Sequence, residues 1–407
     1  MQVPRDLSSR MLEAVDQVSI VDVYERLVPE RKRVTQRVDF IAWLMAFAGT
    51  EIRALGLKPS ELALLGSVEA SPDDRWALIA AQWPFLRTTG TGRMVLRIAW
   101  ELFGAEDIDQ RTWKDISGHL WNEMQPGRYR ELLCERGNIH TVLVDNAVDS
   151  DLRDCCARVR NCDRVLSISS HKEFESWAEE LGLGASLTVE TLDILVERFV
   201  QRSAESGCAS FALSGQVEGA APSAEQVAWA LGRVLHRPEP SSLVEPDLKH
   251  HLLRGLLSHI AKVGLPVQVH VRGEAQVAGL EALARQHPQV RFVGACRRGA
   301  DASLLGALGE TLPNVSLALV GLWRSEPAMA RQALRNWLHR VPLCKIFALG
   351  GDMTMVEAVC VQAMIVREQV AVVMAEMVAA GELDEEDAVF AMARLLAENA
   401  QAYFMER

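Results

Sequence analysis

The sequence predicts an α/β protein: a single (β/α)₈ TIM barrel with a large helical insertion after the first strand and a C-terminal helical pair. Short apolar runs rich in β-forming residues recur along the chain, with helical patterns between most of them. This alternation is typical of parallel sheets covered by helices. Eight such runs can be counted, and closing eight strands into a barrel leaves no sheet edge exposed. A length of 407 residues suits one barrel with insertions.

The predicted strands are distributed over the whole chain. They lie at Val18–Tyr24, Asn138–Asp145, Asp163–Ser169, Cys208–Ser214, Pro266–Val271, Gln289–Ala295, Asn314–Val320 and Lys345–Gly350. An open doubly wound sheet is the alternative arrangement of such strands. We favour the barrel because no glycine-rich phosphate loop follows the first strand, as it does in that open fold.

The longest connection, residues 28–137, is predicted to be a helical insertion, so that residues 1–27 and 138–407 form the barrel. The insertion contains six of the ten tryptophans, namely Trp43, Trp76, Trp83, Trp100, Trp113 and Trp121. Packing explains each of them most simply, because tryptophan is mostly buried. The insertion leaves the C-terminal end of the first strand, where barrel sites form. We therefore expect it to cover that face as a lid or pocket wall.

Two helices are predicted at the C-terminus, at residues 355–379 and 384–404. Gly381 lies between them as a helix stop, and Asp384 is a suitable N-cap for the second helix. Apolar residues on the first of these helices recur at helical spacing, which indicates packing in the core. Exposed parts of these two helices could form a contact between copies of the chain, so a homo-oligomer is possible.

The composition limits the partners that this chain can have. The net charge is −11 and the pI is about 5.5, and no basic stripe outweighs this acidity, so nucleic acid is not expected as a partner. The apolar stretch Phe40–Gly49 is too short to cross a bilayer, and the N-terminal sequence has no secretory signal. We therefore expect a cytoplasmic protein that binds a small molecule and no membrane.

The eight cysteines are scattered along the chain, which predicts reduced thiols rather than a disulfide framework. Cys155, Cys156 and Cys162 form the only cluster in the sequence. It lacks paired C-x-x-C spacing and nearby histidines, so it is weak evidence for a zinc site.

Polar residues follow most of the predicted strands, at the ends that face the pocket of a barrel. They are Tyr24, Arg26, Asp145, Ser169, Ser170, His171, Ser214, His270, Arg272, Cys296, Arg297, Arg298, Trp323, Arg324 and Asp352. The arginines suit a carboxylate or phosphate, which a guanidinium binds with two hydrogen bonds; salt bridges on the barrel rim are the alternative. In the insertion, the segment Leu86–Arg93 offers backbone N–H groups and Arg93 to the same anion. A glycine turn that only joins two helices explains that segment equally well.

Five segments resemble the amidohydrolase superfamily, in its uronate isomerase-like branch. The stretch Ile20–Glu30 is similar to the opening strand of that family, Asp-x-His-x-His-Leu, with Tyr24 and Arg26 in place of the two histidines. Leu265–His270 is similar to the family's fifth strand, which ends in a metal-binding histidine, and Phe292–Cys296 is similar to its sixth strand, with Cys296 in place of a histidine. Phe347–Asp352 is similar to the eighth strand, whose aspartate binds metal and handles protons. Glu398–Tyr403 is similar to the family's last helix.

The resemblance implies a degenerate metal site. Only His270 and Asp352 remain of the family's ligands, and Arg26 is permanently cationic and cannot ligate a metal. We expect no cofactor, with Arg26 taking part of the lost cation's place and pairing with Asp352 or with a ligand carboxylate. One divalent metal held through His270 and Asp352, with Cys296 and Asp145 as further ligands, is the alternative.

The resulting hypothesis is an enzyme that acts on a small polar, anionic compound by acid and base chemistry, as an isomerase, lyase or hydrolase. Asp352 is the predicted base, His270 its acid or orienting partner, and Tyr24 a donor to developing negative charge. The predicted substrate-binding residues are Arg26, Arg272, Arg298, Trp323, Arg93 and Asp145. Less specialised roles are also open: Asp352 as a helix cap and His270 as a structural residue. The competing hypothesis is a catalytically inactive barrel that serves as a binding or regulatory subunit.

Overall fold

The structure is a computed structural model that describes residues 3–67, 69–145, 148–183, 188–214, 222–241 and 244–406. Its strands form one eight-stranded sheet whose order follows the sequence, and the recorded pairings are parallel. The strands are β1 Ile20–Glu25, β2 Ile139–Val144, β3 Cys156–Asn161, β4 Cys208–Ser214, β5 Val267–Val271, β6 Phe292–Cys296, β7 Val315–Val320 and β8 Ile346–Gly350. Backbone hydrogen bonds Arg26 N–H to Met353 O and Asp352 N–H to Tyr24 O link the segment after β8 to β1. The predicted fold class is confirmed.

Helices follow most of the strands and fill the long connection after β1. They are α1 Arg5–Asp16, α2 Glu30–Arg33, α3 Phe40–Ala54, α4 Pro59–Gly66, α5 Pro72–Leu86, α6 Gly90–Phe103, α7 Thr112–Asn122, α8 Arg128–Arg130, α9 Asp163–Leu166, α10 His171–Glu180, α11 Val189–Glu205, α12 Ala224–Leu235, α13 Pro246–Val263, α14 Glu274–Gln286, α15 Ala302–Thr311, α16 Leu322–Ser325, α17 Pro327–Leu338, α18 Val356–Ala379, α19 Glu385–Ala393 and α20 Asn399–Phe404. The π-helical turns Glu131–Arg136 and Arg394–Glu398 extend α8 and α19.

The prediction of the third strand at Asp163–Ser169 is wrong. The strand is Cys156–Asn161, and Asp163–Leu166 is a short helix. β3 carries Arg158 and Arg160, so it lacks the continuous apolar run of a strand such as β8. Arg160 lies over the ring of Phe199, 4.7 Å from its centroid, and this contact allows the guanidinium to stay half-buried.

The polar residues assigned to the end of that strand therefore lie elsewhere. Ser170 is the N-cap of α10, and its hydroxyl accepts a hydrogen bond from the Glu173 N–H at 3.3 Å. Ser169 precedes this cap and donates its own hydroxyl to Glu173. These serines stabilise a helix start, as Ser and Thr commonly do.

The chain forms two compact units. The first comprises Met1–Ala157, Leu319–His339 and Phe347–Gln401; it includes β1, β2 and the whole insertion predicted at 28–137. The second comprises Arg158–Ala318, Arg340–Ile346 and Ala402–Arg407; it includes β4, β5 and β6 with their helices.

Within the first unit, insertion helices pack on the segments that follow β7 and β8. The Trp43 indole N–H in α3 donates to Glu357 Oε2 at 3.4 Å, and Arg33 in α2 pairs with Glu357 Oε1 at 3.6 Å. At the start of α6, a Cβ on Gly90 would lie 2.4 Å from the Arg324 carbonyl oxygen, so this approach requires glycine. The predicted helical character of the insertion is confirmed; its role as a lid stays a prediction.

The C-terminal helices occur where the sequence predicts them. The Asp384 side chain caps α19 by accepting from the Asp387 N–H at 2.8 Å, and Gly381 adopts a φ of +73°, which glycine tolerates without strain. Among the described residues, one helix, α18, is both long enough and apolar enough to cross a membrane. However, 72% of its most apolar window is buried inside the protein, as in a core helix.

Candidate active site at the ends of β1 and β8

The end of β1 and the segment after β8 are joined by an ion pair. Arg26 Nε donates to Asp352 Oδ1 at 2.6 Å, and Arg26 Nη2 donates to the Asp352 carbonyl oxygen at 3.3 Å. The Asp352 side chain is 2% exposed and the Arg26 side chain 48%. The predicted pairing of these two residues is confirmed. One partner is buried and held in place, and the other reaches solvent.

Asp352 has an unusual backbone that the preceding residues make possible. Its φ is +57°, a left-handed conformation that aspartate and asparagine tolerate better than most residues. Before it, a Cβ on Gly351 would lie 1.8 Å from Glu25 Oε1, so only glycine fits. The alternative role of Asp352 as a helix cap is wrong, because α18 begins at Val356 with Met355 as its N-cap.

Tyr24 and Asp145 form the second polar contact in this region. The Tyr24 hydroxyl donates to Asp145 Oδ2 at 2.7 Å, and the Asp145 N–H donates to the Glu25 carbonyl oxygen at 2.7 Å. Tyr24 is 4% exposed. Both residues were predicted for the site, and the structure brings them together at the ends of β1 and β2.

A buried pair of carboxyl groups, Asp22 and Glu25, lies next to the ion pair and was not predicted. Asp22 Oδ1 accepts from the Tyr24 N–H at 3.1 Å and from the Gly351 N–H at 3.4 Å, while Glu25 Oε2 accepts from the Met353 N–H. Both residues are at most 1% exposed. The pair therefore holds the backbone on both sides of Asp352.

The surroundings of the two carboxyl groups favour a proton on one of them. Both side chains are buried, and in the described part of the chain no donor group reaches Asp22 Oδ2 or Glu25 Oε1. Burial and a neighbouring like charge both disfavour the charged form of a carboxyl group. Burial raises the pKa of Asp22 to about 7. Burial, followed by the Asp22 charge, raises the pKa of Glu25 well above its usual value.

The raised pKa values of Asp22 and Glu25 predict a pH-dependent stability. The folded-state pKa of Asp22 lies above its unfolded value of 3.8, so its contribution is complete below pH 4 and is lost as pH rises towards 7. The free energy of unfolding should fall across this window by up to about 1.4 kcal/mol per pH unit. Asp22→Asn should flatten the slope in urea titrations, because its amide N–H replaces the proton. Asp74→Asn, at an exposed position, should not, and an unchanged slope in Asp22→Asn would contradict the raised pKa of Asp22.

In the second unit, His270 lies at the end of β5 and is 6% exposed. Its Nδ1 is 3.3 Å from Arg297 Nη1, so Nδ1 is the acceptor and the ring proton of the neutral imidazole lies on Nε2. Arg272 and Arg298 are exposed. Cys296 is buried, with its Sγ 3.3 Å from the Arg298 carbonyl oxygen, as expected of a structural thiol.

Two residues predicted to bind substrate, Trp323 and Arg93, donate hydrogen bonds to backbone carbonyl oxygens instead. The Trp323 side chain is 3% exposed, and its indole N–H donates to the Ala348 carbonyl at 2.7 Å. Arg93 Nη1 donates to the Thr88 carbonyl oxygen at 2.9 Å. The glycine turn before α6 is capped by Thr89, whose hydroxyl accepts from Gly92 N–H at 3.0 Å. This geometry favours a joining turn over an anion site.

A cavity of about 120 Å³ lies in the second unit, and none of the residues predicted to bind or catalyse is among its lining residues. Most of its lining is apolar, with Asp163, Ser214 and Lys249 as polar exceptions. The chemistry at the strand ends identifies the candidate site better than this cavity does, because the cavity wall offers few convergent polar groups.

The residues at the ends of β1 and β8 do not fit a divalent-metal site. A guanidinium holds the Asp352 oxygen that a metal would need, and neither Arg26 nor a hydrogen-bonded Tyr24 is a typical ligand. Across the described residues, no group of three or more His, Cys, Asp or Glu side chains is placed to hold a metal. No step is therefore assigned to a metal.

The metal content of the purified protein tests this directly. We predict less than about half an equivalent of tightly bound transition metal, because such sites normally need three or four protein ligands. Elemental analysis after dialysis against a chelator measures it. One equivalent of zinc, iron or manganese that survives dialysis would restore the alternative site with His270 and Asp352 as ligands.

Solved structures share this fold over nearly the whole chain. The uronate isomerase of Thermotoga maritima has a TM-score of 0.79 and 13% identity, with 99% of this chain and 98% of that chain covered. This chain has the fold of the uronate isomerases. The uronate isomerase of Bacillus halodurans has a TM-score of 0.74 and 16% identity, covering 100% of this chain and 98% of that one. The glucuronate isomerase of Caulobacter crescentus has a TM-score of 0.74 and 15% identity, covering 100% and 96%.

The predicted resemblance to uronate isomerase-like proteins is thus confirmed at the level of the fold. No protein-family model matches the sequence, and no curated protein is significantly similar to it. With identities of 13–16% to the uronate isomerases, the fold alone carries over, and function must be argued from the site.

Proposed function

We propose that this chain is an enzyme that transfers a proton on a small hydroxylated carboxylic acid, a sugar acid or a close relative, as an isomerase or lyase. The observation that carries the proposal is the ion pair between exposed Arg26 and buried Asp352. It lies at the strand ends of a fold shared with the uronate isomerases.

Arg26 has the geometry to anchor the substrate carboxylate. Of the five N–H groups of a guanidinium, Asp352 engages one on Nε and one on Nη2. Nearly half of the side chain is exposed, so the remaining N–H groups can approach a ligand from solvent. A carboxylate bound there is held by charge-assisted hydrogen bonds, in the planar geometry that arginine provides.

Asp352 is then the base. Its carboxylate is fixed by Arg26 on one side and by the hydrogen-bonded backbone at Tyr24 on the other, and a positioned carboxylate close to a bound acid can remove a proton from carbon or hydroxyl. The neighbouring Asp22 and Glu25 pair keeps a proton, which limits the negative charge around Asp352. Tyr24 donates to Asp145 and so serves as a positioning residue in this scheme.

Isomerisation or elimination suits these residues better than amide hydrolysis. Proton transfer next to a carbonyl or carboxylate needs a base and an anchor, whereas hydrolysis by such barrels relies on metal-activated water. The predicted roles of His270, Arg272 and Arg298 in the same reaction stay predictions. Single Met or Gln variants of these residues, measured with the substrate once it is found, test them.

A non-catalytic binding subunit is the second candidate, favoured by the replacement of two motif histidines with Tyr24 and Arg26. One experiment separates the two. The protein is screened by thermal shift against sugar acids and other small hydroxy acids, and each stabilising acid is incubated in D₂O and followed by NMR. Deuterium incorporation or conversion supports the enzyme. Stabilisation without exchange supports the binding subunit, and no stabilisation by any acid contradicts both.

A further inference from the structure

The cavity of about 120 Å³ in the second unit lies between the sheet and the helices α9, α13 and α14. Leu213 of β4 and Val269 of β5, which are register partners on neighbouring strands, form its sheet side. Successive side chains of a strand point to opposite faces, so Val269 faces away from Gln268 and His270. On that other face, the Gln268 amide donates to Ser210 Oγ at 3.0 Å. The cavity therefore lies on the helix-covered side of the sheet, opposite the face that carries His270.

One end of this cavity is polar and the rest is apolar. Leu253 in α13 and Leu283 in α14, which line the apolar part, are 1% and 7% exposed. The polar lining residues occupy similar places in the fold: Ser214 ends β4, Asp163 begins α9 after β3, and Lys249 lies near the start of α13. In a (β/α)₈ barrel these positions are at the C-terminal ends of the strands. The cavity thus has a charged rim over a hydrophobic interior.

Lys249 places a positive charge at this rim. In the described part of the chain, no hydrogen bond or ion pair engages its ammonium group, although the side chain is only partly exposed. The Asp163 carboxylate is held by Ser214, whose N–H donates to Oδ1 at 2.8 Å and whose hydroxyl donates to Oδ2. Glu245, one helical turn before Lys249, is paired with the Arg237 guanidinium. A partly buried ammonium group without a counter-charge favours an anionic ligand.

We propose that this cavity binds a short aliphatic carboxylate. Its alkyl group occupies the leucine-lined interior, and its carboxylate accepts a hydrogen bond from the Lys249 ammonium group. The size suits such a ligand: an apolar cavity of about 150 Å³ in another protein holds benzene. A cavity of about 120 Å³ therefore accommodates a branched alkyl group of roughly four carbons. Apolar burial and a charge-assisted hydrogen bond together hold the acid.

A carboxylate fits the charges of this rim better than an amine or a phosphate does. An amine would bring a second positive charge to Lys249, and the acidic group that it needs, Asp163, is already bound by Ser214. A phosphate suits an arginine fork or several donors, whereas the described lining offers one lysine. The site is separate from the proposed active site and does not depend on it.

Titration calorimetry of the full-length protein with 3-methylbutanoate at pH 7 tests the proposal. Acetate should bind at least about tenfold more weakly, because each buried CH₂ group contributes about fourfold to the affinity. 3-Methylbutanamide has the same shape without the charge, and it should also bind about tenfold more weakly or worse. Arg26→Met should bind 3-methylbutanoate like the parent protein, which distinguishes this cavity from the proposed active site.

Variants locate the bound acid. Lys249→Met keeps the aliphatic stem and removes the charge, so it should weaken 3-methylbutanoate about tenfold or more while leaving 3-methylbutanamide within about twofold of the parent. Lys249→Arg should restore most of the affinity for the carboxylate. Lys262→Met, at an exposed position on the same helix, is the matched control and should bind both compounds like the parent. Leu253→Phe fills part of the cavity and should weaken both compounds together.

Three results would overturn the proposal: no binding of 3-methylbutanoate to the parent, equal affinity of Lys249→Met and the parent for it, or loss of its binding in Arg26→Met. Tighter binding of 3-methylbutylamine than of 3-methylbutanoate would overturn it as well. Urea unfolding first establishes that each variant is folded. If Leu253→Phe does not fold, the comparison of carboxylate and amide in Lys249→Met decides alone.

Discussion

Asp352→Asn should lower the rate of proton exchange on a bound acid by about 10²- to 10⁴-fold, the usual contribution of a positioned general base. Asparagine cannot accept the proton at this position, yet its side-chain oxygen still accepts from Arg26 Nε, which donates to Asp352 Oδ1 at 2.6 Å. It also tolerates the φ of +57° at this position. The variant should therefore fold and still bind the acid, so that the loss appears in kcat more than in KM.

Asp384→Asn is the matched control for this prediction. It makes the same change from carboxyl to amide at the N-cap of α19, where asparagine caps as well as aspartate. Its exchange rate should equal that of the parent protein. If Asp352→Asn retains a rate within tenfold of the parent, Asp352 is not the base.

Gly351→Ala should destabilise the protein by about 3 kcal/mol or more, since overpacking a buried site costs 1–3 kcal/mol and sometimes exceeds it. The new Cβ would lie 1.8 Å from Glu25 Oε1 and 2.7 Å from Glu25 Cδ. Glu25 cannot move away easily, because it is fully buried and accepts from the Met353 N–H. Urea unfolding measures the loss, and the ion pair next to it should also weaken.

Two further variants show whether the collision with Glu25 is the cause. Gly118→Ala adds a Cβ in α7 with nothing within 4 Å, and it should be neutral or slightly stabilising because alanine is the better helix former. Combining Gly351→Ala with Glu25→Ala removes the collision, so the two free-energy losses should be less than additive. Full additivity would mean that the contact with Glu25 is not the reason why position 351 requires glycine.

The sequence was sufficient to predict those contacts that depend on strand ends alone. Arg26 and Asp352 follow β1 and β8, and opposite charges at adjacent strand ends pair, as observed at 2.6 Å. Tyr24 and Asp145 were both placed at strand ends by the sequence, but the hydrogen bond between them was not predicted. The strands β4, β5, β7 and β8 were predicted within one residue of their bounds, whereas the start of β6 was predicted three residues early. The pattern fails at β3, where two arginines interrupt the run.

Contacts that depend on the packed interior could not be predicted. Asp22 and Glu25 lie within β1 rather than after it, and strand ends alone do not indicate them. Two acidic residues in a fully buried six-residue strand are the sequence signal that points to such a pair. Trp323 follows β7 as expected, but its depth depends on its hydrogen bond to Ala348.

The affinity of a small acid for the parent protein and for Arg26→Met tests the central claim most directly, namely that Arg26 anchors an anion beside Asp352. Titration calorimetry with the acid that stabilises the parent most measures it, with Arg285→Met as control at an exposed ion pair. Binding to Arg26→Met should be weaker by about 1 to 3 kcal/mol, the value of a charge-assisted contact, and Arg285→Met should bind like the parent. Equal affinity of Arg26→Met and the parent would contradict the anion site.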